Sequence, residues 1–164
     1  MATNEFVVQR ARAISDRTRC LALEQSVCIT IMRNVNADRK RVFHALTIPE
    51  YIETWFSAPG ALTGRTVVCR RDNFFSISYS CAESGQSRIL CSYEVCRRSK
   101  LLFTWRLDNA FEGSSSLVKV RLEGEFGRTA VQVIHCGLGC SDRQWHQVLW
   151  ESSLEKMGKL FGSC

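Results

Sequence analysis

Arg39-Lys-Arg-Val-Phe-His-Ala-Leu-Thr-Ile-Pro-Glu-Tyr-Ile-Glu-Thr-Trp-Phe56 is the stretch that decides the fold of this 164-residue chain. Val42, Phe43 and Leu46 form an apolar stripe at helical spacing behind the polar starters Asn36 to Arg41. Pro49 suits the first turn of a second helix, and Glu50 stands at capping-box distance from Thr47. That helix carries Tyr51, Ile52, Trp55 and Phe56, and Ser57-Ala-Pro-Gly ends it. The reading is two short helices joined by a tight break.

On both sides of this pair the period changes to two. Upstream, Val27, Ile29 and Ile31 alternate with Cys28, Thr30 and Met32, so a strand over Val27 to Val35 with both faces covered is expected. Downstream, Thr66 to Arg70 opens a run of strands. Phe75, Ile77 and Tyr79 alternate with serines. Ile89, Cys91, Tyr93 and Val95 follow, then Leu101, Phe103, Trp105 and Leu107. Val118, Val120 and Leu122 alternate with Lys119 and Arg121, and after Gly127-Arg-Thr come Val131, Val133 and His135. The last segment is helical again, with Ser141 and Gln144 at capping-box spacing. Its stripe is Trp145, Val148, Leu149, Ser152, Met157, Leu160 and Phe161. Strand, two helices, about six strands and a helix define an α+β domain over residues 27–164. Residues 1–26 read as a separate N-terminal extension, helical from the spacing of Val7, Ala11, Ile14, Thr18 and Leu21.

Composition bounds the function. Hydrophobic residues make up 45% of the chain and charged residues 23%, which is globular rather than disordered. No run is long enough to cross a bilayer, and the first residues lack a secretory signal, so a cytoplasmic protein is expected. The net charge of +6 comes from scattered arginines without interleaved aromatics, which argues against a nucleic-acid platform. The nine cysteines are odd in number and contain no CxxC pair. They read as mostly reduced and buried, with Cys164 the exposed thiol. His135, Cys136, Cys140 and His146 lie close in sequence. However, 135 and 136 point to opposite faces of a strand, so no metal site is expected. No G-x-G-x-x-G, phosphate loop or nucleophile elbow is present, and no cofactor is expected.

The segment 39–56 resembles the two-helix signature of the START-like (SRPBCC) superfamily, and within it the branch homologous to the activator of the heat-shock-protein-90 ATPase. Leu101-Leu-Phe-Thr-Trp105, Arg128-Thr-Ala-Val-Gln-Val-Ile-His135 and Trp145 at the head of the last helix are similar to the same branch. Ser87 or Arg88, where the branch often has glycine, and Ser152, where it often has leucine, depart from it. The resemblance implies a helix-grip fold, a curved antiparallel sheet of six to seven strands around a long C-terminal helix. It also implies a small hydrophobic ligand between sheet and helix, or a chaperone partner.

The inward positions expected to line such a cavity are Trp55, Phe56, Phe75, Ile77, Tyr79, Tyr93, Phe103, Trp105, Val133, His135, Trp145 and Leu149. The same side chains would equally interdigitate as a solid core. Some relatives are cyclases or dehydratases. His135 is the one inward candidate for a general acid or base, with no carboxylate evidently paired to it, so catalysis is not expected.

Overall fold

The computed structural model describes residues 27–82, 85–108 and 115–162; the helix expected within residues 1–26, and Cys164, lie outside the described residues. The described elements are β1 (Cys28–Val35), α1 (Arg39–Thr47), α2 (Pro49–Trp55), β2 (Ala61–Arg71), β3 (Phe74–Cys81), β4 (Gly85–Arg97), β5 (Lys100–Leu107), β6 (Ser116–Glu125), β7 (Arg128–Cys136) and α3 (Arg143–Leu160). The seven strands form one sheet in the order β1-β7-β6-β5-β4-β3-β2, and every neighbouring pair is antiparallel. Strands β2 to β7 are a meander. The first strand returns to pair with the last, from Cys28 opposite Cys136 to Val35 opposite Thr129.

Side-chain alternation sets which face is covered. Phe75, Ile77 and Tyr79 of β3, Ile89, Cys91 and Tyr93 of β4, and Leu101, Phe103 and Trp105 of β5 are all buried. So are Val118, Val120 and Leu122 of β6 and Val131, Val133 and His135 of β7. The pleat therefore turns one continuous apolar face toward the helices. A register shift between Tyr93 and Val95 places a bulge in β4, the device that bends a sheet. At the β6–β7 hairpin, Phe126 and Gly127 take φ values of 53° and 78°, the backbone of a tight hairpin turn. Two residues before that turn, a Cβ on Gly124 would stand 2.3 Å from the Arg128 carbonyl, so only glycine lets the two strands close.

The helices start differently from what local spacing suggests. Asp38 caps α1, its Oδ1 accepting from the Arg41 N–H at 2.9 Å. Thr47 does not cap α2; its hydroxyl donates back to the Phe43 carbonyl at 2.8 Å, and extended Ile48 before Pro49 makes the break. The Ser141–Gln144 box is likewise not formed. Asp142 holds the N-cap position of α3 without a side-chain cap, and the Ser141 hydroxyl donates to its carboxylate at 3.1 Å.

Three further expectations are corrected. In β1, Thr30, Met32 and Asn34 are exposed while Ile29 and Val35 are buried. Among the described residues this edge strand has helix on one face only. The buried stripe of α3 is His146, Leu149, Trp150, Ser153, Leu154 and Met157, whereas Val148 and Leu160 are exposed. Two tryptophans five residues apart stand roughly 140° apart around a helix, and it is Trp150, not Trp145, that faces the sheet. Finally, Cys28 and Cys136 form a cross-strand disulfide with Cα atoms 4.2 Å apart, and of the free cysteines described only Cys91 is buried. Period-two alternation puts Cys69 on the outer face beside buried Val68, and Cys96 is exposed next to half-buried Val95, so apolar surroundings in sequence did not mean burial.

The phase of α3 is directly testable with two leucines. Leu154→Ala is expected to lower the unfolding free energy by about 2–5 kcal/mol, and Leu160→Ala by less than about 1 kcal/mol, in urea titrations.

Candidate functional site

Helices and sheet meet at an apolar seam. Leu46 from α1, Ile52 and Trp55 from α2, and Phe56 just beyond it face Phe75 and Ile77 of β3. Leu101, Phe103 and Trp105 of β5, Val120 of β6 and Trp150 of α3 complete the wall. The gap they enclose is about 20 Å³, room for a single water-sized sphere. Trp55 is fixed there because its indole N–H donates to the Ala45 carbonyl at 2.7 Å, tying α2 to α1. The Ser57 N–H donates to Ser153 Oγ at 3.0 Å and ties the end of α2 to α3.

Of the twelve residues predicted from the sequence, Trp55, Phe56, Phe75, Ile77, Phe103 and Trp105 line this gap. Tyr79 and Tyr93 pack one layer away. The Tyr79 ring lies 5.9 Å from Phe56, and Tyr93 stacks on Phe75 at 4.8 Å and meets Phe103 edge-on at 5.6 Å. Val133, His135 and Leu149 are buried in the surrounding core, and Trp145 is half-buried, 4.9 Å from the His146 ring. The sequence reading missed Leu46, Ile52, Leu101, Val120 and Trp150 as lining residues. Leu46, Ile52, Leu101 and Val120 stood in the apolar stripes already recognised. Trp150 was missed because the phase of α3 was anchored on Trp145.

His135 sits at the centre of a closed hydrogen-bond chain. The Trp150 indole N–H donates to its Nδ1 at 3.1 Å, so the ring proton is on Nε2. Nε2–H then donates to Ser116 Oγ at 2.7 Å, and the Ser116 hydroxyl donates to the Trp105 carbonyl at 3.1 Å. Burial, reinforced by repulsion from His146, holds the His135 pKa well below its ordinary value. Burial also lowers His146, although its hydrogen bond to the Asp142 carbonyl and the Asp142 charge oppose the shift. Burial raises the Tyr79 and Tyr93 phenols and the Cys91 thiol. No carboxylate, lysine or arginine is buried among the described residues. At neutral pH this interior is uncharged, and His135 has neither a free lone pair nor a free proton.

The His135 and His146 ring centroids are 4.7 Å apart, but Cys136 turns outward into its disulfide. Among the described residues no group of three metal-ligating side chains forms. A second feature lies on the surface, a groove of about 340 Å³ between α1, α2 and the end of α3. Tyr51, Ala45, Leu160 and Phe161 give it apolar walls. Arg41 and His44 rim it, the Arg41 guanidinium standing 5.3 Å over the Phe161 ring. Among the described residues no helix is long and apolar enough to cross a membrane.

A seven-stranded antiparallel sheet with two short helices after its first strand and a long helix closing its apolar face defines the helix-grip class of the START-like superfamily. Residues 36–162 match the model of the activator of Hsp90 ATPase homolog 1-like protein family, and the chain belongs to that family. Solved structures agree on the fold. Protein CV1439 from Chromobacterium violaceum superposes with a TM-score of 0.72 at 17% identity, covering 84% of this chain and 99% of that one. Protein Ms6760 from Mycobacterium smegmatis gives 0.66 at 13% identity, with 87% and 94% covered. Protein MLL2253 from Mesorhizobium loti gives 0.61 at 21% identity, with 82% and 96% covered. No curated protein matches the chain significantly.

The two buried histidines predict acid sensitivity. Between their lowered native pKa values and the ordinary value of 6.5, the unfolded chain binds protons that the native chain refuses. Stability should therefore be fully present above pH 6.5 and fall as pH drops below it, by at most about 1.4 kcal/mol per pH unit for each histidine. Urea midpoints between pH 5 and 8 measure the slope.

Proposed function

We propose that this chain is a non-catalytic binding module for a small hydrophobic molecule, of lipid, polyketide or aromatic type, held between the sheet and α3. The observation that carries this reading is the gap itself, which lies where the sheet, α2 and α3 converge and is walled by apolar and aromatic side chains. Its present volume of about 20 Å³ means that a guest must part the helices from the sheet. The contact that has to yield is the one between α2 and α3, bridged by Ser57 N–H and Ser153 Oγ. Trp55, Phe56, Phe75, Ile77, Phe103 and Trp105 would form the walls, with Tyr79, Tyr93, Val133, His135, Trp145 and Leu149 behind or beside them. Use of His135 as a general acid or base has no support in its bonding, since both ring nitrogens are engaged.

Thermal melting in the presence of apolar probes tests this. A probe at a hundred times its dissociation constant should add about 2.7 kcal/mol to the stability, and Val120→Phe, which fills the gap, should abolish the gain. No shift with any probe, together with no co-purifying molecule by mass spectrometry, would sink the reading.

A second reading, a regulatory module that docks on a chaperone, is favoured by the surface groove beside Tyr51 and Leu160, which are 51% and 50% exposed. Under this reading, capture by an immobilised heat-shock-protein-90-type chaperone should be lost in the Tyr51→Ser, Leu160→Ser double variant and retained in Val120→Phe. Equal capture of the double variant and the parent protein counts against it.

A further inference from the structure

Two buried side-chain polar atoms among the described residues have no hydrogen-bond partner, Trp105 Nε1 and His146 Nε2. Both residues are almost completely enclosed, at 2% and 3% exposure. A finished interior leaves few such atoms, because each is stripped of water without compensation. Here the two are complementary. An indole Nε1 only donates. The Nδ1 of His146 lies 2.8 Å from the Asp142 carbonyl, which only accepts, so Nδ1 carries the ring proton and Nε2 presents a bare lone pair.

The two rings are 6.2 Å apart between centroids. His146 is not itself a wall residue and packs behind the wall, its ring 4.7 Å from that of His135 between centroids. Trp105 is itself part of the gap wall, and its ring is 5.4 Å from Trp150, another wall residue. His135 cannot supply the missing partner, because Trp150 and Ser116 take both of its nitrogens.

The pair selects the functional group that would satisfy it. A carboxylate offers only acceptors, which His146 Nε2 repels, and would bring a charge into an interior without a buried cation. An ammonium offers only donors, which the indole N–H repels. A ketone or ether meets Trp105 and leaves His146 unpaired. A hydroxyl accepts and donates through one atom. We propose that the guest is a neutral alcohol or phenol with an apolar body, its hydroxyl oxygen accepting from Trp105 Nε1–H and its proton donated to His146 Nε2. The assignment rests on the ligand-binding reading above and narrows it to one chemical class.

Naphthol, methylnaphthalene and naphthoate share a ring system and differ in the group at issue, so they serve as probes of the full chain in calorimetric titrations. Naphthol should bind about tenfold more tightly than methylnaphthalene, and naphthoate more weakly than either. In Trp105→Phe and in His146→Phe, each checked for folding by circular dichroism, the preference for naphthol should shrink to within about threefold. If Trp105→Phe does not fold, His146→Phe and His146→Leu carry the same comparison. Equal binding of naphthol and methylnaphthalene by the parent protein overturns the hydroxyl assignment and leaves an apolar guest standing. A tenfold preference that survives in the folded variants also overturns it. Failure of all three probes to bind overturns both the assignment and the function on which it rests.

Discussion

The hydrogen bond from the Trp150 indole to His135 Nδ1 is the constraint around which the interior is organised. It joins the C-terminal helix to the last strand at His135, a polar side chain of the sheet with no exposed surface. Once Trp150 faces His135, the rotation of α3 is set, and Leu149, Ser153, Leu154 and Met157 must follow it inward. The same bond selects the His135 tautomer, and through Ser116 it fixes the start of β6 against the carbonyl of Trp105. Neutrality of His135 is a condition of this chain of bonds, because a second ring proton would leave Trp150 facing a donor.

That constraint explains why the seam behaves as one environment. Every titratable group in it is driven toward its uncharged form by the same burial, histidines downward and phenols and thiol upward. The result is a neutral, aromatic-walled interior. The surface groove at Tyr51 and Leu160 belongs to a different environment, exposed and rimmed by Arg41 and His44, between α1, α2 and the end of α3. The two readings of function therefore concern different faces of the molecule and can be tested one without disturbing the other.

Much of the fold was legible because two periods are unmistakable here. The serine alternation around Phe75, Ile77 and Tyr79 allows only a half-buried strand, and Pro49 after a helical stripe forces the break between α1 and α2. Six of the twelve predicted residues line the gap, Phe75 and Ile77 of β3, Phe103 and Trp105 of β5, and Trp55 and Phe56. The failures fall where one-dimensional patterns are degenerate. A helix with tryptophans at 145 and 150 has two plausible apolar faces, and only the position of His135 chooses between them. Capping-box spacing at Thr47 and Ser141 describes what a side chain can reach, whereas the carbonyl of Phe43 and the carboxylate of Asp142 were nearer partners.

By itself the sequence determined the class of each described element, their order and the apolar face of strands β3 to β7, since these follow from side-chain spacing along a backbone of known period. Only the tertiary structure decided which elements meet. It brought Cys28 opposite Cys136, turned His146 and Trp150 toward His135, and closed the gap to the size of one water. The first joins residues 108 positions apart, and all of them are set by the pairing of the first strand with the last and the docking of α3. No local pattern encodes them.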